Sequence, residues 1–283
     1  MITREEKNKD IQDEIFKEEN RKKFKKISKI ILITITTITL IILYGLYIGA
    51  KVTIVKEYKI EGNISNSFHG TKIVHISDIL YDSLNKNDLK KIKDQVNEIN
   101  PDIIIFTGNI KLKDKLDKDE IDYLTNFFKD LKAKLNKYAV SGNNDDNSFD
   151  VIMENSNFNI LNNKNTLLYY KDINPIEIIG FNTNDIKYDG INPSDNYKIC
   201  IFSNPDKIDD ILEHVSCNLS LASETLGGEI KLFGYPILDN HKYNNDYQKV
   251  KDTDLYISNG LGNLSTVRYF NRPSISLFRL TRS

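Results

Sequence analysis

The stretch that decides the fold is KIVHISDILYDSLNKNDLKKIKDQVNEINPDIIIFTGN, residues 72–109. Residues 72–77 form a short apolar run, and residues 102–108 form a continuous one, as in a strand buried on both faces. Between them, residues 89–100 carry apolar side chains at the spacing of one helix face. The stretch therefore predicts a strand–helix–strand unit with parallel strands.

The same alternation continues along the rest of the chain. Helical spacing returns over residues 119–135, residues 138–142 resemble another strand, and a later helix is predicted near residues 206–215. Further strands are predicted at residues 52–60, 166–170, 176–180, 197–203, 218–223, 230–234, 255–258 and 275–280. We expect an α/β domain over residues 51–283, with two packed sheets and helices on their outer faces, because no long linker interrupts this region.

Residues 30–50, IILITITTITLIILYGLYIGA, carry no charge and as a helix would span about 31 Å, the thickness of a bilayer core. Their four threonines can bond to the helix's own carbonyls. We interpret the segment as a transmembrane helix preceded by a charged tail, residues 1–29, that is disordered or loosely helical. A cleaved signal peptide is the alternative, but the run is long and no small-x-small cleavage site follows it.

The charges that flank this segment predict its orientation. Basic residues crowd the N-terminal side, whereas few follow closely on the other side. The positive-inside rule then places the tail in the cytoplasm and the domain outside a cell membrane. Over the whole chain, 39 Lys and Arg balance 40 Asp and Glu, so no global field favours nucleic acid as a partner.

The two cysteines, Cys200 and Cys217, both lie in apolar, strand-like runs. We expect two buried thiols that act as small hydrophobic side chains. A disulfide between them is the alternative if the domain lies outside the cytoplasm.

Polar side chains follow several of the predicted strands, at the ends where sites gather in a parallel sheet. Six segments at or near these strand ends stand out: KIVHISD (72–78), NPDIIIFTGN (100–109), KYAVSGNND (137–145), FSNPD (202–206), LASETLGGE (221–229) and YISNGLGNLSTVRYFNRPSISLFRL (256–280). In this order they resemble the motifs of the calcineurin-like metallophosphoesterases, and most of all those of their small membrane-associated bacterial branch. The resemblance implies a four-layer α-β-β-α sandwich and two divalent metals that clamp a phosphate.

This sequence departs from the family's metal-binding pattern. The resemblance implies that six ligand or catalytic positions are replaced, five of them histidines and one the bridging aspartate. These positions hold Leu80, Asn109, Asn144, Ser203, Glu224 and Leu226. Asp78, Asn143 and Asp145 are retained, and none of the chain's four histidines stands at a ligand position.

These replacements predict a membrane-anchored pseudoenzyme that binds a protein, a lipid or an envelope polymer. No cofactor is expected beyond one weakly held divalent cation at Asp78 and Asn143, with Glu224 as a further oxygen donor. Without a metal, Asp78 and Asn143 would serve the fold, for example by capping turns. The alternatives are an active phosphoesterase with an altered or single-metal site, and a scaffold role in the envelope.

Overall fold

The computed structural model describes residues 4–112, 115–191, 194–237 and 239–283. The chain divides into two compact units between Gly45 and Leu46. The first unit is a long helix, α1 (Arg4–Leu43), and a π-helical segment, Tyr44–Gly49, continues it into the second unit. The helix is long and apolar enough to cross a membrane. Residues 4–29 belong to α1, which agrees with the helical alternative for the charged tail and not with the disordered one.

The threonines of α1 satisfy their hydroxyls within the helix. Each Oγ1 donates to the carbonyl oxygen four residues earlier, at 2.9–3.0 Å, and the four are Thr34, Thr36, Thr37 and Thr39. No hydroxyl of these four therefore needs water, which confirms the predicted backbone bonding.

The strand–helix–strand unit predicted from residues 72–109 is confirmed. It consists of β2 (Lys72–Ile76), α2 (Lys86–Ile99) and β3 (Ile103–Phe106), and β2 and β3 are parallel. Asn85 begins α2 by accepting from the backbone N–H of Asp88, while the Asp88 carboxylate accepts from the N–H of Asn85. The sequence therefore encodes both the helix face and the helix start.

Within the described residues, the first sheet has six strands in the order β1-β14-β2-β3-β4-β5. Its remaining strands are β1 (Ile54–Gly62), β4 (Asn136–Ala139), β5 (Asn159–Ile160) and β14 (Ser274–Arg282). The helices α3 (Lys118–Lys129) and α4 (Asn147–Asn155) accompany it. Strands β2 to β5 are parallel, and β14 is antiparallel to β2.

The second sheet has the order β12-β13-β9-β8-β7-β6, again over the described residues. Its strands are β6 (Lys164–Leu168), β7 (Ile176–Gly180), β8 (Tyr197–Ile201), β9 (Leu219–Ala222), β12 (Tyr247–Val250) and β13 (Thr253–Ile257). Helix α5 (Ile208–His214) connects β8 to β9. A separate hairpin is formed by β10 (Lys231–Leu232) and β11 (Tyr235–Pro236).

The buried apolar residues of the described chain separate these elements into four layers. Along β3, Ile103 and Ile105 pack between the two sheets, whereas Ile104 and Phe106 pack against the helices α2 to α4. Along β8, Ile199 faces the first sheet and Cys200 faces α5. Because side chains alternate along a strand, each sheet is covered on both faces. The predicted α-β-β-α sandwich is confirmed.

The structure corrects several predicted boundaries. Helix α3 ends at Lys129 and not at residue 135. Leu131 lies beyond the helix but is buried in the core, so the apolar spacing continues past the end of the helix. Residues 230–234 hold only the two-residue strand β10 and the turn that leads to β11, and not one strand. Sequence analysis missed α4, whose Phe149, Ile152 and Met153 are buried at helical spacing, and the short strands β5 and β12.

The expectation of two free thiols is wrong, because Cys200 and Cys217 form a disulfide. Cys200 lies on β8, and Cys217 lies just before the neighbouring strand β9, with a Cα–Cα distance of 5.9 Å. Both side chains are buried in the core between the second sheet and α5. The register of β8 against β9 decides the pairing, and composition alone does not give that register.

We predict that the Cys200→Ala/Cys217→Ala variant loses about 3 kcal/mol of unfolding free energy, because the bridge closes a short loop in the unfolded chain. Urea unfolding of both proteins, followed by circular dichroism, measures the difference. Reductant should lower the unfolding midpoint of the natural sequence and leave the variant unchanged. Two titratable thiols in the unreduced natural protein would contradict the assignment.

Candidate functional site

The ends of five strands meet at one edge of the sandwich. The segments that follow β2, β3 and β4 come from the first sheet, and those that follow β8 and β9 come from the second. The Ser223 hydroxyl after β9 donates to the Thr107 carbonyl after β3 at 2.8 Å, which joins the two sheets. The N–H of Asp78 donates to the Gly108 carbonyl at 2.8 Å. The site predicted from the strand ends therefore forms one cleft.

The carboxylate of Asp78 is buried, and both of its oxygens accept hydrogen bonds. Oδ1 accepts from Asn109 Nδ2 at 2.8 Å. Oδ2 accepts from Ser77 Oγ at 2.6 Å and from the backbone N–H of Glu224 at 3.2 Å. Burial raises the pKa of Asp78 to about 6, against the lowering effect of these bonds and of the nearby Arg268. Hydrogen bonds within the protein therefore occupy both oxygens of the retained Asp78 carboxylate.

Asn109 holds the centre of the cleft. Its Nδ2 donates to Asp78, and its Oδ1 accepts from the backbone N–H of Asn144 at 3.0 Å. A carboxylate at this position could not donate to Asp78 and would place a second negative charge against it. The amide thus converts a position suited to bridging two cations into a neutral link between two loops.

Asp145 caps the loops beside the cleft. Its two oxygens accept from the backbone N–H groups of Gly142 at 2.8 Å, Asn109 at 3.0 Å and Ile110 at 2.7 Å. Burial raises the pKa of Asp145 to about 6. Asp145 therefore caps these turns, while Asp78, for which a turn-capping role was predicted, accepts one backbone N–H, that of Glu224.

Glu224 connects the retained Asn143 to the second sheet. One carboxylate oxygen accepts from Asn143 Nδ2, and the other accepts from Ser203 Oγ at 3.4 Å. Thr183, which sequence analysis did not select, donates its hydroxyl to Asn143 Oδ1 at 3.4 Å. Burial raises the pKa of Glu224, and the neighbouring Asp78 charge raises it further. The structure therefore brings the predicted oxygen donors Asp78, Asn143 and Glu224 together.

Leu80 and Leu226 are both buried beside these polar groups. Leu226 packs on Gly260 so closely that a Cβ on that glycine would collide with it, and the same Cβ would lie 3.0 Å from Cβ of Asp78. The space next to Asp78 is therefore filled by hydrocarbon. Five residues here adopt the left-handed backbone conformation although they are not glycine. They are Asp78, Leu80, Asn109, Glu224 and Leu226, with φ between 42° and 73°.

These residues do not fit a two-metal centre. Leu80 and Leu226 have no electron pair to donate to a metal, and the Asn109 amide already donates a hydrogen bond to one oxygen of Asp78. Within the described residues, no three His, Cys, Asp or Glu side chains group as metal ligands. The single weak cation at Asp78 and Asn143 stays a prediction, and it would have to displace the Asn109 amide.

None of the four histidines stands at a replaced ligand position, although His241 lies near one of them, Glu224. His75 is buried on β2 with Nε2 hydrogen-bonded to Thr107 Oγ1 at 2.8 Å, and its Nδ1 finds no partner among the described residues. The others take part in local contacts: His69 Nδ1 accepts from the Arg282 N–H, His214 stacks on Tyr188, and His241 Nδ1 lies 2.6 Å from Asp239 Oδ1.

A buried arginine, Arg268, holds the closing segment against the cleft. Its guanidinium donates to the carbonyls of Asn259 at 2.8 Å and Gly262 at 2.5 Å, and to Asn263 Oδ1 at 2.7 Å. Burial lowers the pKa of Arg268 to about 10, opposed by the charges of Glu229 and Asp78. The position of Arg268 in the closing motif did not predict these contacts.

A cavity of about 330 Å³ adjoins the cleft at Glu224. Three carboxylates line it, those of Glu224, Glu229 and Asp239, together with His241. No Lys or Arg lines it in the part of the chain that the structure describes. A phosphate group would meet negative charge here, so the cavity suits neutral or cationic groups better.

The sequence profile of the calcineurin-like phosphoesterases matches residues 71–260, more than half of the chain. The chain therefore belongs to the calcineurin-like phosphoesterase family. It is 27% identical over 255 residues to the metallophosphoesterase YkuE of Bacillus subtilis (strain 168), a match that covers 84% of this chain and 88% of YkuE.

Two shorter matches are to UDP-2,3-diacylglucosamine pyrophosphatases called LpxG. The protein of Chlamydia muridarum is 38% identical over 78 residues, and that of Chlamydia trachomatis is 32% identical over 96 residues. These segments cover 27% and 32% of this chain, and 23% and 29% of the two pyrophosphatases. They are local similarities to part of each protein.

We predict that His75→Leu makes the stability of the domain less sensitive to acid. Burial lowers the pKa of His75 to about 3, so the folded protein keeps it neutral while the unfolded chain protonates it. Stability is therefore lost as pH falls through the unfolded pKa, by about 2–3 kcal/mol between about pH 7 and pH 4.5. Urea unfolding of both proteins at these two pH values measures the difference.

Asp78 and Asp145 have the opposite effect on the pH dependence of stability. Their raised pKa values, about 6, mean that the folded protein takes up these protons before the unfolded chain does, which stabilises it on acidification. His75→Leu keeps both carboxyls, so its unfolding free energy should stay level or rise as pH falls. An equal acid-induced loss in the two proteins would contradict the assignment to His75.

Proposed function

We propose that this chain is a membrane-tethered pseudoenzyme, a calcineurin-like phosphoesterase that has lost two-metal catalysis and acts by binding at the cell envelope. The hydrogen bond from Asn109 to Asp78 carries the proposal, because it replaces a bridging carboxylate by a neutral donor. Hydrocarbon at Leu80 and Leu226 removes further donors. The acid-lined cavity beside Glu224 supports the proposal, since an anionic phosphate would gain nothing there.

The tether is the helix over residues 30–50, with the N-terminus in the cytoplasm and the domain outside. Its length and composition suit a bilayer core, and basic residues crowd its N-terminal side. The Cys200–Cys217 disulfide supports the same orientation, because disulfides persist in oxidising compartments and are rare in the cytosol. The proposed ligand is a protein, a lipid headgroup or an envelope polymer, and not a nucleic acid.

An active phosphoesterase with an altered or single-metal site is the second candidate. The local similarity to two LpxG pyrophosphatases favours it, because their name indicates a phosphate bond in a lipid precursor as the substrate. The clustered oxygens of Asp78, Asn143 and Glu224 would be its cation donors.

The two candidates separate in a metal and hydrolysis assay. The full chain in detergent is incubated with Mn²⁺ or Mg²⁺, its bound metal is measured, and hydrolysis of a phosphodiester and of UDP-2,3-diacylglucosamine is followed. Because Asp78 is already hydrogen-bonded on both oxygens, we expect substoichiometric metal and no difference in rate between the natural sequence and Asp78→Ala.

Two controls make this result interpretable. The Chlamydia trachomatis pyrophosphatase, assayed in the same detergent, shows that the conditions permit turnover. Asp172→Ala removes an exposed carboxylate far from the cleft, so it corrects for non-specific metal loss. Near-stoichiometric metal with turnover that Asp78→Ala abolishes and Asp172→Ala preserves would refute the pseudoenzyme and establish the second candidate.

The proposed orientation is tested by protease treatment of bacterial protoplasts that express the full chain with an N-terminal epitope. Because the domain is proposed to lie outside, external protease should remove it and leave the epitope with the membrane helix. Thiol alkylation before lysis should leave Cys200 and Cys217 unmodified, as a disulfide would. Loss of the epitope with an intact domain would reverse the orientation.

A further inference from the structure

The β10–β11 hairpin presents an apolar tip to solvent. Residues 232–237, LFGYPI, carry no charge. The exposed fractions are 51% for Leu232, 90% for Phe233, 73% for Tyr235 and 54% for Ile237. Single exposed apolar residues are ordinary on a protein surface, but a contiguous group of this size marks a contact with another apolar phase.

The hairpin is held in place by its own bonds. Its strands pair antiparallel between Lys231 and Pro236, and the N–H of Ile237 donates to the Ile230 carbonyl at 3.1 Å. Phe233, with φ 50°, forms the turn together with Gly234. Pro236 packs so tightly on Gly228 that a Cβ there would collide with it. The exposed tip is therefore a built feature of the fold.

The base of the hairpin is joined to the start of β1. Lys231 is buried, and its Nζ lies 2.5 Å from Asp246 Oδ1. The other oxygen of Asp246 pairs with Lys56 on β1. Lys56 follows Ala50, the last residue of the apolar run 30–50, by six residues, a span of at most about 20 Å. The hairpin therefore lies at the end of the domain from which the proposed tether leaves.

A second connection leads to the same end. The Glu229 carboxylate, just before the hairpin, accepts from the backbone N–H groups of Leu264 at 2.7 Å and Ser265 at 3.0 Å. The neighbouring Asn263 donates its side-chain amide to the Ala50 carbonyl at 3.2 Å. Leu264 also lines a cavity of about 580 Å³ together with Leu46 and Tyr47.

From this arrangement we propose that the hairpin 231–237 is a second membrane contact, whose tip enters the lipid interface beside the tether. The inference rests on the proposed membrane tether. An uncharged tip with Phe233 and Tyr235 has the composition that the interface accommodates. The chain enters the domain at Ala50, at the same end as the base of the hairpin, so lipid around the proposed tether would meet the tip at a higher effective concentration than a soluble protein partner.

The chain contains no tryptophan, so a single substitution gives an unambiguous fluorescent probe. Phe233→Trp places it at the tip, where 90% exposure leaves room for the larger ring. Ile173→Trp is the matched control. Ile173 is 85% exposed, and its neighbour Asp172 bonds to Ser65, beyond the far end of the nine-residue β1, about 27 Å from the end nearest the tether.

Both full-length variants are reconstituted into phosphatidylcholine–phosphatidylglycerol vesicles with and without brominated acyl chains. We expect blue-shifted emission from Phe233→Trp and quenching by the brominated lipid about threefold stronger than for Ile173→Trp. Equal quenching of the two variants would overturn the proposal. Blue-shifted emission that brominated lipid leaves unquenched would also overturn it, and would assign the hairpin to a protein contact.

Vesicle flotation separates the hairpin from the tether. A chain that fails to float refutes the tether and the hairpin contact together. A floating chain whose Phe233→Trp probe is no more quenched than the control refutes the hairpin contact alone. Neither result bears on the metal and hydrolysis assay, so the pseudoenzyme proposal stands or falls separately.

Discussion

The hydrogen bond from the Asn109 amide to the Asp78 carboxylate is the interaction around which the cleft is organised. It uses one oxygen of the carboxylate retained on the first sheet, while Ser77 and the Glu224 N–H use the other. The remaining Asn109 oxygen binds the loop after β4 through the Asn144 N–H. Segments following β2, β3, β4 and β9 are thus connected through two side chains. In a two-metal enzyme, cations would make such connections.

The backbone around this bond is held in a costly conformation. Asp78, Leu80, Asn109, Glu224 and Leu226 all have positive φ, which Asp and Asn adopt readily but Leu and Glu adopt only under constraint. Two sets of hydrogen bonds hold the neighbouring loops in place. Asp145 accepts from three backbone N–H groups, and Arg268 donates to carbonyls of the closing segment. The cleft therefore keeps a defined shape although its side chains bond mainly to one another. A defined shape of this kind is what the proposed binding role requires.

The sequence predicted the layers well and the contacts within the cleft poorly, for separable reasons. The continuous apolar run along β3 and the helical spacing along α2 are local properties, so both elements and their buried faces followed from them. The Cys200–Cys217 bridge and the bond from the Asn109 N–H to Asp145 join residues that are separated in sequence. The bonds of Arg268 depend on how the loop over residues 259–268 folds back on its side chain, which residue spacing does not predict. Residues 230–234 were predicted as one strand because the turn at Phe233 and Gly234 follows the apolar residues of β10 without a polar break.

The sign of the charge in the cleft follows from the same replacements. Two divalent cations would offset the carboxylates that a phosphoesterase gathers around its substrate. Without such ligands, burial raises the pKa values of Asp78 and Glu224, the Asp78 charge raises that of Glu224 further, and the cavity beside Glu224 is lined by acidic groups. A phosphate that metals would attract is repelled by what remains. In the proposed pseudoenzyme, loss of the metal ligands would therefore change the preferred ligand as well as the chemistry, toward neutral or cationic groups.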